Sequence, residues 1–419
     1  MTASRSGTAW TFAYVTMLFF VWGAVTAVND ILIPAVKAIF ALSDTESFLT
    51  QFAFFMAYGV VSLPAAALMG RLGAANSIIV ALATMIAGCL IMPFATIVRE
   101  YAIVLVGLFV IASGITLLQV AANPLSASLG RPERSHFRLV LSQAFNSLGT
   151  VIAPYLAART LLQGGLFEDG PVTEAKIAYS LGRIDVAYIF IAAVIAVLAM
   201  FLYRVRHEIT AAAPPVETGG RVSSAFASPW ALAGALAIFL YVGAEVAIGS
   251  AMVNFLEQPD VFAISAVQAG SFVSLYWLGA MIGRFIGSGL LYKLAAGPLL
   301  AVTAVAAALL CLTISQISGP AAGVLAISVG LFNSIMFPVI FSLTIERSTA
   351  PASATSGLLC MAIVGGALVP LVFAQVADAS GSRFLAFLVP MACYLVIALF
   401  GWRAARAPAR TTSFASSLH

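Results

Sequence analysis

The chain has 419 residues, of which 62% are hydrophobic and only 9% are charged, and its formal net charge is +4. Soluble proteins carry about 25% charged residues, so this composition excludes water as the main solvent. Uncharged runs of about 20 residues without strand-like alternation indicate membrane-spanning helices and exclude a membrane β-barrel. Because the basic residues lie in short clusters beside apolar runs, they predict membrane orientation signals and no nucleic-acid partner.

Twelve apolar segments follow one another along the chain and are the predicted transmembrane helices. They cover residues 10–40, 48–70, 74–96, 101–127, 137–163, 184–204, 228–257, 262–290, 296–317, 320–345, 353–378 and 384–403. A polar stretch rich in Pro and Gly separates the sixth segment from the seventh. We therefore expect an N-terminal six-helix bundle at 1–204, a cytoplasmic linker at 205–227, a C-terminal six-helix bundle at 228–404 and a cytoplasmic tail at 405–419.

The two predicted bundles carry related motifs in the same order. The first segment reads FVWGAVTAVND and the seventh reads LYVGAEVAIGS, which aligns Gly23 with Gly243. An Arg beside a Gly follows in each half, in LMGRLG and in GAMIGRFIGSG, and we expect both at a helix end. Repeats of this kind are typical of transporters whose halves rock around a midplane site. The predicted fold is an all-α membrane protein with twelve transmembrane helices in two pseudo-symmetric six-helix bundles.

The distribution of Lys and Arg predicts the orientation. With the N-terminus inside, fourteen of the twenty Lys and Arg residues, Arg284 among them, fall on the cytoplasmic side and six on the outer side. Excess positive charge marks the cytoplasmic face. We expect a multi-pass protein in the lipid bilayer of a bacterial inner membrane, with both termini cytoplasmic. Nothing in length or composition indicates an oligomer, so a monomer is expected.

Two carboxylates, Asp30 and Glu245, are predicted to lie deep within segments. A charge near the bilayer centre costs about 2.5–3.5 kcal/mol on insertion scales, so such an acid faces a cavity or a partner. Both are candidates for ion coupling, because a site that alternates between two faces can carry a proton on a carboxylate. Alternatively, Asp30 caps a broken helix or pairs with Lys37, and Glu245 is a neutral acid bonded to a neighbouring helix.

Uncharged donors and acceptors lie at helical spacing near these acids. Gln119 and Asn123 are four residues apart before Pro124, and Gln143 and Asn146 are three apart, so each pair occupies one helix face. Carboxamides offer donors and acceptors without fixed charge, as recognition of sugar hydroxyls requires; interhelical bonding is the alternative role. The remaining candidates for substrate binding are Trp22, Asn29, Glu245, Asn254 and Asn333.

Other classes of function leave recognisable motifs that the sequence lacks. The sequence has no G-x-x-x-x-G-K-[ST] loop for nucleotide binding, and its three His residues do not have the spacing of metal ligands. We therefore expect no transport driven by ATP, no metal and no cofactor. A membrane-embedded transferase would place a His or Asp cluster near one lipid interface, so no enzyme is expected. An exporter of drugs or metabolites would have a more apolar cavity with few carboxamides, and it stays a weaker alternative.

Several stretches resemble the fucose:proton symporter family of the major facilitator superfamily. They include FFVWGAVTAVNDILIP from Phe19, LLQVAANP from Leu117, HFRLVLSQAFNSLG from His136 and YVGAEVAIGSAMVNFL from Tyr241. The later motifs YWLGAMIGRFIGS, LFNSIMFP and SGLLCMAIVGGALVP look most like its glucose/galactose permease branch. The resemblance covers nearly the whole chain and implies the major facilitator fold.

The resemblance also implies roles for single residues. The acid of the N-D-I-L-I-P motif is linked to proton coupling in the family and is Asp30 here. The fucose branch has a second acid where this chain has Gln119, so its two-carboxylate mechanism does not carry over. In the glucose/galactose branch, Glu245 of the V-G-A-E-V motif supplies an alternative acid. The Q-x-F-N pattern associated with sugar binding falls on Gln143 and Asn146.

Together these features predict a secondary transporter that imports a neutral hexose, of the glucose, galactose or N-acetylglucosamine type, by proton symport with alternating access. Sodium coupling stays open, because an acid beside Asn and backbone carbonyls also holds a hard cation. Fucose import is a further alternative.

Overall fold

The computed structural model describes residues 5–40, 42, 44–161, 173–213 and 221–409. Within these ranges, the side chains at 5–9, 29–38, 44–48, 51, 154–161, 212, 266 and 267 are not described. Fourteen α-helices occur in this part of the chain. They are α1 (Arg5–Ile39), α2 (Asp44–Val98), α3 (Tyr101–Ser128), α4 (Ser135–Leu161), α5 (Glu174–Ala212), α6 (Pro229–Leu256), α7 (Ala266–Leu291), α8 (Ala296–Ile314), α9 (Pro320–Asn333), α10 (Met336–Arg347), α11 (Ala352–Met361), α12 (Gly365–Ser380), α13 (Arg383–Ala386) and α14 (Leu388–Arg406).

Ten segments among the described residues are long and apolar enough to cross a membrane, which confirms the prediction of a helical membrane protein. The longest helix, α2, covers two predicted segments. Gly73 interrupts it with φ 76° and ψ 169°, between the predicted boundaries at 70 and 74. A left-handed φ is accessible to Gly without the steric cost of a Cβ, so the chain can change direction there.

Local sequence explains where several helices begin and end. Ser228 caps α6 by accepting from the backbone N–H of Ala231, and Pro229 occupies the first turn. Ser265 and Gln268 form a capping box at the start of α7. These groups satisfy backbone donors that have no partner within the helix.

The chain forms two compact units. The first unit comprises Met1–Leu125 and Phe145–Val216, and the second comprises Ser126–Ala144 and Glu217–His419. In the first unit, α5 packs against α1 and α2. In the second unit, α6 lies among α7, α10, α12 and α14, while α14 also packs along α8. Helix α4 begins in the second unit and continues into the first.

Glycines allow backbone contact between helices in both units. A Cβ at Gly149 of α4 would meet the carbonyl oxygen of Phe20 and would lie 3.0 Å from the backbone N of Ala24 in α1. In the second unit, a Cβ at Gly243 of α6 would lie 3.0 Å from the backbone carbonyl oxygen of Gly365 and 2.5 Å from Cβ of Val369, both in α12. Close approach of this kind lets helices pack by dispersion contacts, which is the main source of helix association in lipid.

Candidate functional site

In the first unit, a carboxamide and a tyrosine join α3 to α2. Gln119 Nε2 donates to Tyr58 Oη at 2.7 Å, and both side chains are buried. Asn123 lies one turn further along α3 and is fully buried, directly before Pro124. Proline cannot donate the backbone hydrogen bond of that turn, so polar groups concentrate here within an apolar helix. Gln119 and Asn123 thus both lie in the interior of the unit, one turn apart on α3.

A second polar contact joins α4 to α1. Asn146 Nδ2 donates to the carbonyl oxygen of Phe19 at 2.9 Å. A Cβ at Gly23 would lie 2.7 Å from this Nδ2, so glycine is what lets the amide reach the α1 backbone. Trp22 is buried beside Phe19, with ring centroids 4.3 Å apart. Asn146 and Trp22 therefore lie at one helix crossing.

Three other predicted residues need separate mention. The side chains of Asn29 and Asp30 lie outside the described residues, although both belong to α1. Gln143 is buried, on the part of α4 that belongs to the second unit. Its neighbour Ser142 shares a hydrogen bond of 2.8 Å with Ser126 of α3.

In the second unit, Glu245 is the centre of a buried polar cluster. Its Oε1 accepts from Tyr241 Oη at 2.7 Å, one turn earlier on α6, and lies 3.5 Å from Arg284 Nη2 of α7. Tyr276 Oη donates to the backbone carbonyl of Glu245 at 3.2 Å. A buried carboxylate needs an opposite charge and hydrogen-bond donors to offset desolvation, and this cluster supplies both.

The expectation that Arg284 lies at a helix end is wrong. It lies seven residues before the end of α7, and its side chain is 13% exposed. The reason is the carboxylate of Glu245, which compensates the guanidinium inside the bundle. An Arg within the apolar run GAMIGRFIGSG is the sequence signal for such a partner, because an unpaired cation there would be costly.

Asn333 ends α9 at a break in the tenth predicted segment and is fully buried. Its Nδ2 donates to Tyr276 Oη at 2.9 Å and to Tyr394 Oη at 3.2 Å. Its Oδ1 has no hydrogen-bond partner among the described residues. A buried acceptor left unpaired costs about 1–3 kcal/mol, so this oxygen is suited to a hydroxyl donor from a ligand.

Glu245 and Asn333 are candidates from the sequence alone, whereas the hydrogen-bond partners of Glu245 were not predicted. Tyr241 stands four residues before Glu245, a spacing that places both on one helix face. Tyr394 carried no such signal, because its contact with Asn333 joins residues 61 positions apart. Only the packing of α14 against the rest of the unit brings it there.

Asn254 lies apart from this cluster. Its side chain is exposed near the end of α6, and its backbone carbonyl accepts from Arg383 Nη1 at 2.6 Å. A cavity of about 550 Å³ opens nearby, and none of the predicted site residues lines it. Its lining residues are Gln258, Asp260, Ala377, Asp378, Gly381, Ser382, Arg383 and Phe384.

The buried polar groups of each unit have the hydrogen-bonding chemistry that a neutral polyol requires. Each unit buries a carboxamide bonded to a tyrosine, and the second unit adds one carboxylate paired with one guanidinium. Carboxamides and phenols exchange hydrogen bonds with hydroxyl groups without selecting for a charged ligand.

Comparison with known proteins agrees with this chemistry. Residues 11–368 match the Major Facilitator Superfamily. A glucose/galactose transporter of Brucella abortus is 42% identical over 400 residues, which are 96% of this chain and 95% of that protein. The L-fucose-proton symporter of Escherichia coli is 33% identical over 410 residues, 93% of this chain and 92% of that protein.

A solved structure shares the architecture. The crystal structure of the E. coli fucose:proton symporter matches with a TM-score of 0.84 and 28% identity, covering 95% of this chain and 99% of that one. The chain therefore belongs to the major facilitator superfamily, within the family that contains these glucose/galactose transporters and fucose:proton symporters.

Proposed function

We propose that this protein imports a neutral hexose of the glucose or galactose type together with a proton, by alternating access. The observation that carries the proposal is that each unit buries a carboxamide–tyrosine contact, Gln119 with Tyr58 in the first and Asn333 with Tyr276 in the second. The second unit also buries the carboxylate of Glu245. Relatives named glucose/galactose transporters are 42% and 36% identical to the chain over more than 90% of its length. The sugars in these names are neutral hexoses, whose hydroxyl groups can bond to the uncharged carboxamides and phenols described above.

We further propose twelve transmembrane helices in two pseudo-symmetric bundles, 1–204 and 228–404, joined by a cytoplasmic linker at 205–227 and followed by a cytoplasmic tail at 405–419. Equivalent contacts recur in both units and support the repeat. Gln119 binds Tyr58 between predicted helices four and two, and Asn333 binds Tyr276 between helices ten and eight. The α1–α4 glycine contact likewise matches the α6–α12 contact, which joins predicted helices seven and eleven.

The proposed orientation places both termini in the cytoplasm of a bacterial cell. Arg284 is buried and is therefore left out of the count of basic residues that mark the cytoplasmic side. Thirteen Lys and Arg residues then remain on the cytoplasmic side against six on the outer side, so the charge asymmetry persists. The protein is proposed to act as a monomer.

The proposed roles divide between ion and sugar. Asp30 and Glu245 couple the ion, and Glu245 also contacts the sugar. The other sugar ligands are Trp22, Asn29, Gln119, Asn123, Gln143, Asn146, Asn254 and Asn333. Of the described side chains in this set, Asn254 is exposed and Asn146 is half-buried, while the others are buried.

Fucose import is the second candidate, supported by the relatives named L-fucose-proton symporters. Gln119 favours the hexose proposal, because it stands where the fucose branch carries an acid and because it is already bonded to Tyr58. Sodium is the alternative coupling ion.

The proposal is tested by uptake into proteoliposomes of purified protein. Labelled glucose, galactose, N-acetylglucosamine and fucose are offered under an inward proton gradient and then under an inward sodium gradient. We expect accumulation of glucose or galactose under the proton gradient alone. Accumulation of fucose alone, accumulation under sodium alone, or no hexose uptake would each contradict the proposal.

A further inference from the structure

The tenth predicted helix is broken, and its sequence explains the break. In a continuous helix the backbone N–H of residue 338 would donate to the carbonyl oxygen of Ser334, but Pro338 has no N–H. Helix α9 ends at Asn333 and α10 begins at Met336. The carbonyl of Ser334 therefore needs a donor from elsewhere.

Arg284 supplies that donor. Its Nε donates to the carbonyl oxygen of Ser334 at 3.0 Å, while its Nη2 lies 3.5 Å from Glu245 Oε1. The neighbouring Gly283 allows this approach, since a Cβ there would meet the carbonyl oxygen of Leu331 and lie 2.8 Å from Ser334 Cβ. One guanidinium thus joins α6, α7 and the break between α9 and α10.

Helix α10 carries a second polar contact at its other end. Glu346 Oε1 accepts from Ser135 Oγ at 2.6 Å and lies 3.3 Å from His136 Nε2. His136 Nδ1 also shares a hydrogen bond of 2.7 Å with Ser342 Oγ. Ser135 and His136 are the first residues of α4, in the part of that helix that belongs to the second unit. A helix of 12 residues therefore links the Arg284 contact to the start of α4.

We propose that Arg284 is a positioning residue that transmits the charge state of Glu245 to α10. While Glu245 is ionised, it holds the guanidinium against the carbonyl of Ser334 and fixes the break. When a proton binds to a carboxylate oxygen of Glu245, the guanidinium loses its counter-charge, and α10 is released together with its contacts to Ser135 and His136. This proposal rests on the proposed proton symport.

In the part of the chain that the structure describes, Arg284 is an ion-pair partner of Glu245. The titratable groups that interact with the pair are Tyr241 on α6 and Tyr276 on α7. Tyr394 on α14 and Cys311 on α8 lie behind Tyr276. Among these described neighbours, Arg284 is the cation that balances Glu245. Protonation of Glu245 therefore leaves a local positive charge that favours rearrangement.

The first test measures the Arg284–Ser334 contact without transport. Unfolding temperatures are measured in detergent for R284Q, P338A and the double variant. Substituting Pro338 by Ala restores a backbone N–H that can pair with the Ser334 carbonyl. We therefore expect R284Q to lower the unfolding temperature about twice as much in the wild type as in the P338A variant. The matched control cycle uses P370A, another proline inside a helix. If R284Q lowers the unfolding temperature equally in the wild type, in P338A and in P370A, the bond between Arg284 and Ser334 does not stabilise the break.

The second test measures coupling with labelled galactose. We expect E245Q to lower the accumulation of galactose under a proton gradient by about 10-fold or more. R284K should retain part of the accumulation and shift its pH profile, whereas R284Q should lose it. A pH profile of R284K identical to that of the wild type, or wild-type accumulation of galactose in R284Q, would refute transmission through Arg284.

The two tests separate this proposal from the proposed function. If the wild type transports no hexose, the proposed function fails, and the transmission proposal fails with it. The unfolding cycle still decides whether Arg284 holds the break. If the wild type accumulates galactose with protons and the unfolding cycle shows no coupling, Arg284 is not the positioning residue, while the proposed function stands.

Discussion

Substituting Gly149 by Ala should separate two helices that carry candidate sugar ligands. A Cβ at Gly149 would meet the carbonyl oxygen of Phe20 and would lie 3.0 Å from the backbone N of Ala24. Both neighbours are backbone atoms of α1, so no side-chain rotation relieves the clash. Asn146 reaches the α1 backbone at the same crossing, and its bond to Phe19 should lengthen when the helices part.

The magnitude follows from overpacking, which typically costs about 1–3 kcal/mol. Gly182 in α5 is the matched control, because a Cβ at that position meets nothing within 4 Å. Replacing a helical Gly with Ala in open space stabilises a protein by about 0.5–1 kcal/mol. We therefore expect G149A to lower and G182A to raise the unfolding temperature of the purified protein in detergent.

Transport should follow the same order. G149A should raise the KM for galactose uptake, because it displaces Asn146, while G182A should leave uptake within about twofold of the wild type. Equal unfolding temperatures for the two variants, or an unchanged KM in G149A, would show that the α1–α4 contact does not position the site.

Four further substitutions probe single contacts. Q119L removes the side chain that donates to the Tyr58 hydroxyl and should raise the KM for galactose by about 5-fold or more, whereas Y58F should raise it less. Equal KM values for Q119L and the wild type would show that Gln119 does not bind the sugar. N333L should lower both the unfolding temperature and uptake, since Tyr276 loses a buried partner, and full uptake in N333L would argue against a sugar contact there. R138Q should destabilise the protein by about 1.5–3 kcal/mol, because the Arg138 guanidinium donates to backbone carbonyls near the end of α3. An unfolding temperature of R138Q equal to that of the wild type would contradict that role.

The helical membrane fold was predictable because its signal is local. Each apolar run of about 20 residues must form a helix in lipid, whatever the rest of the chain does. Gly73 shows the limit, since the sequence predicts two segments there and the structure shows one kinked helix. The distinction depends on one residue's backbone angles and not on hydropathy.

The candidate site was predictable only in part. Glu245 and Asn333 are conspicuous because a polar residue inside an apolar run needs a partner. The partner itself depends on how distant helices pack, as Arg284 shows, 39 residues from Glu245. Charge counting assigned Arg284 to the cytoplasm because it treats every basic residue as an orientation signal. Because Arg284 is buried and paired with a carboxylate, its charge gives no such signal.

The most direct test of sugar–proton symport is proton movement caused by sugar. Purified protein in proteoliposomes, with equal pH on both sides and no other gradient, is mixed with galactose or glucose while the external pH is recorded. The account predicts a rise in external pH when sugar enters, and loss of that rise in D30N. Entry of sugar with no change in external pH would contradict it.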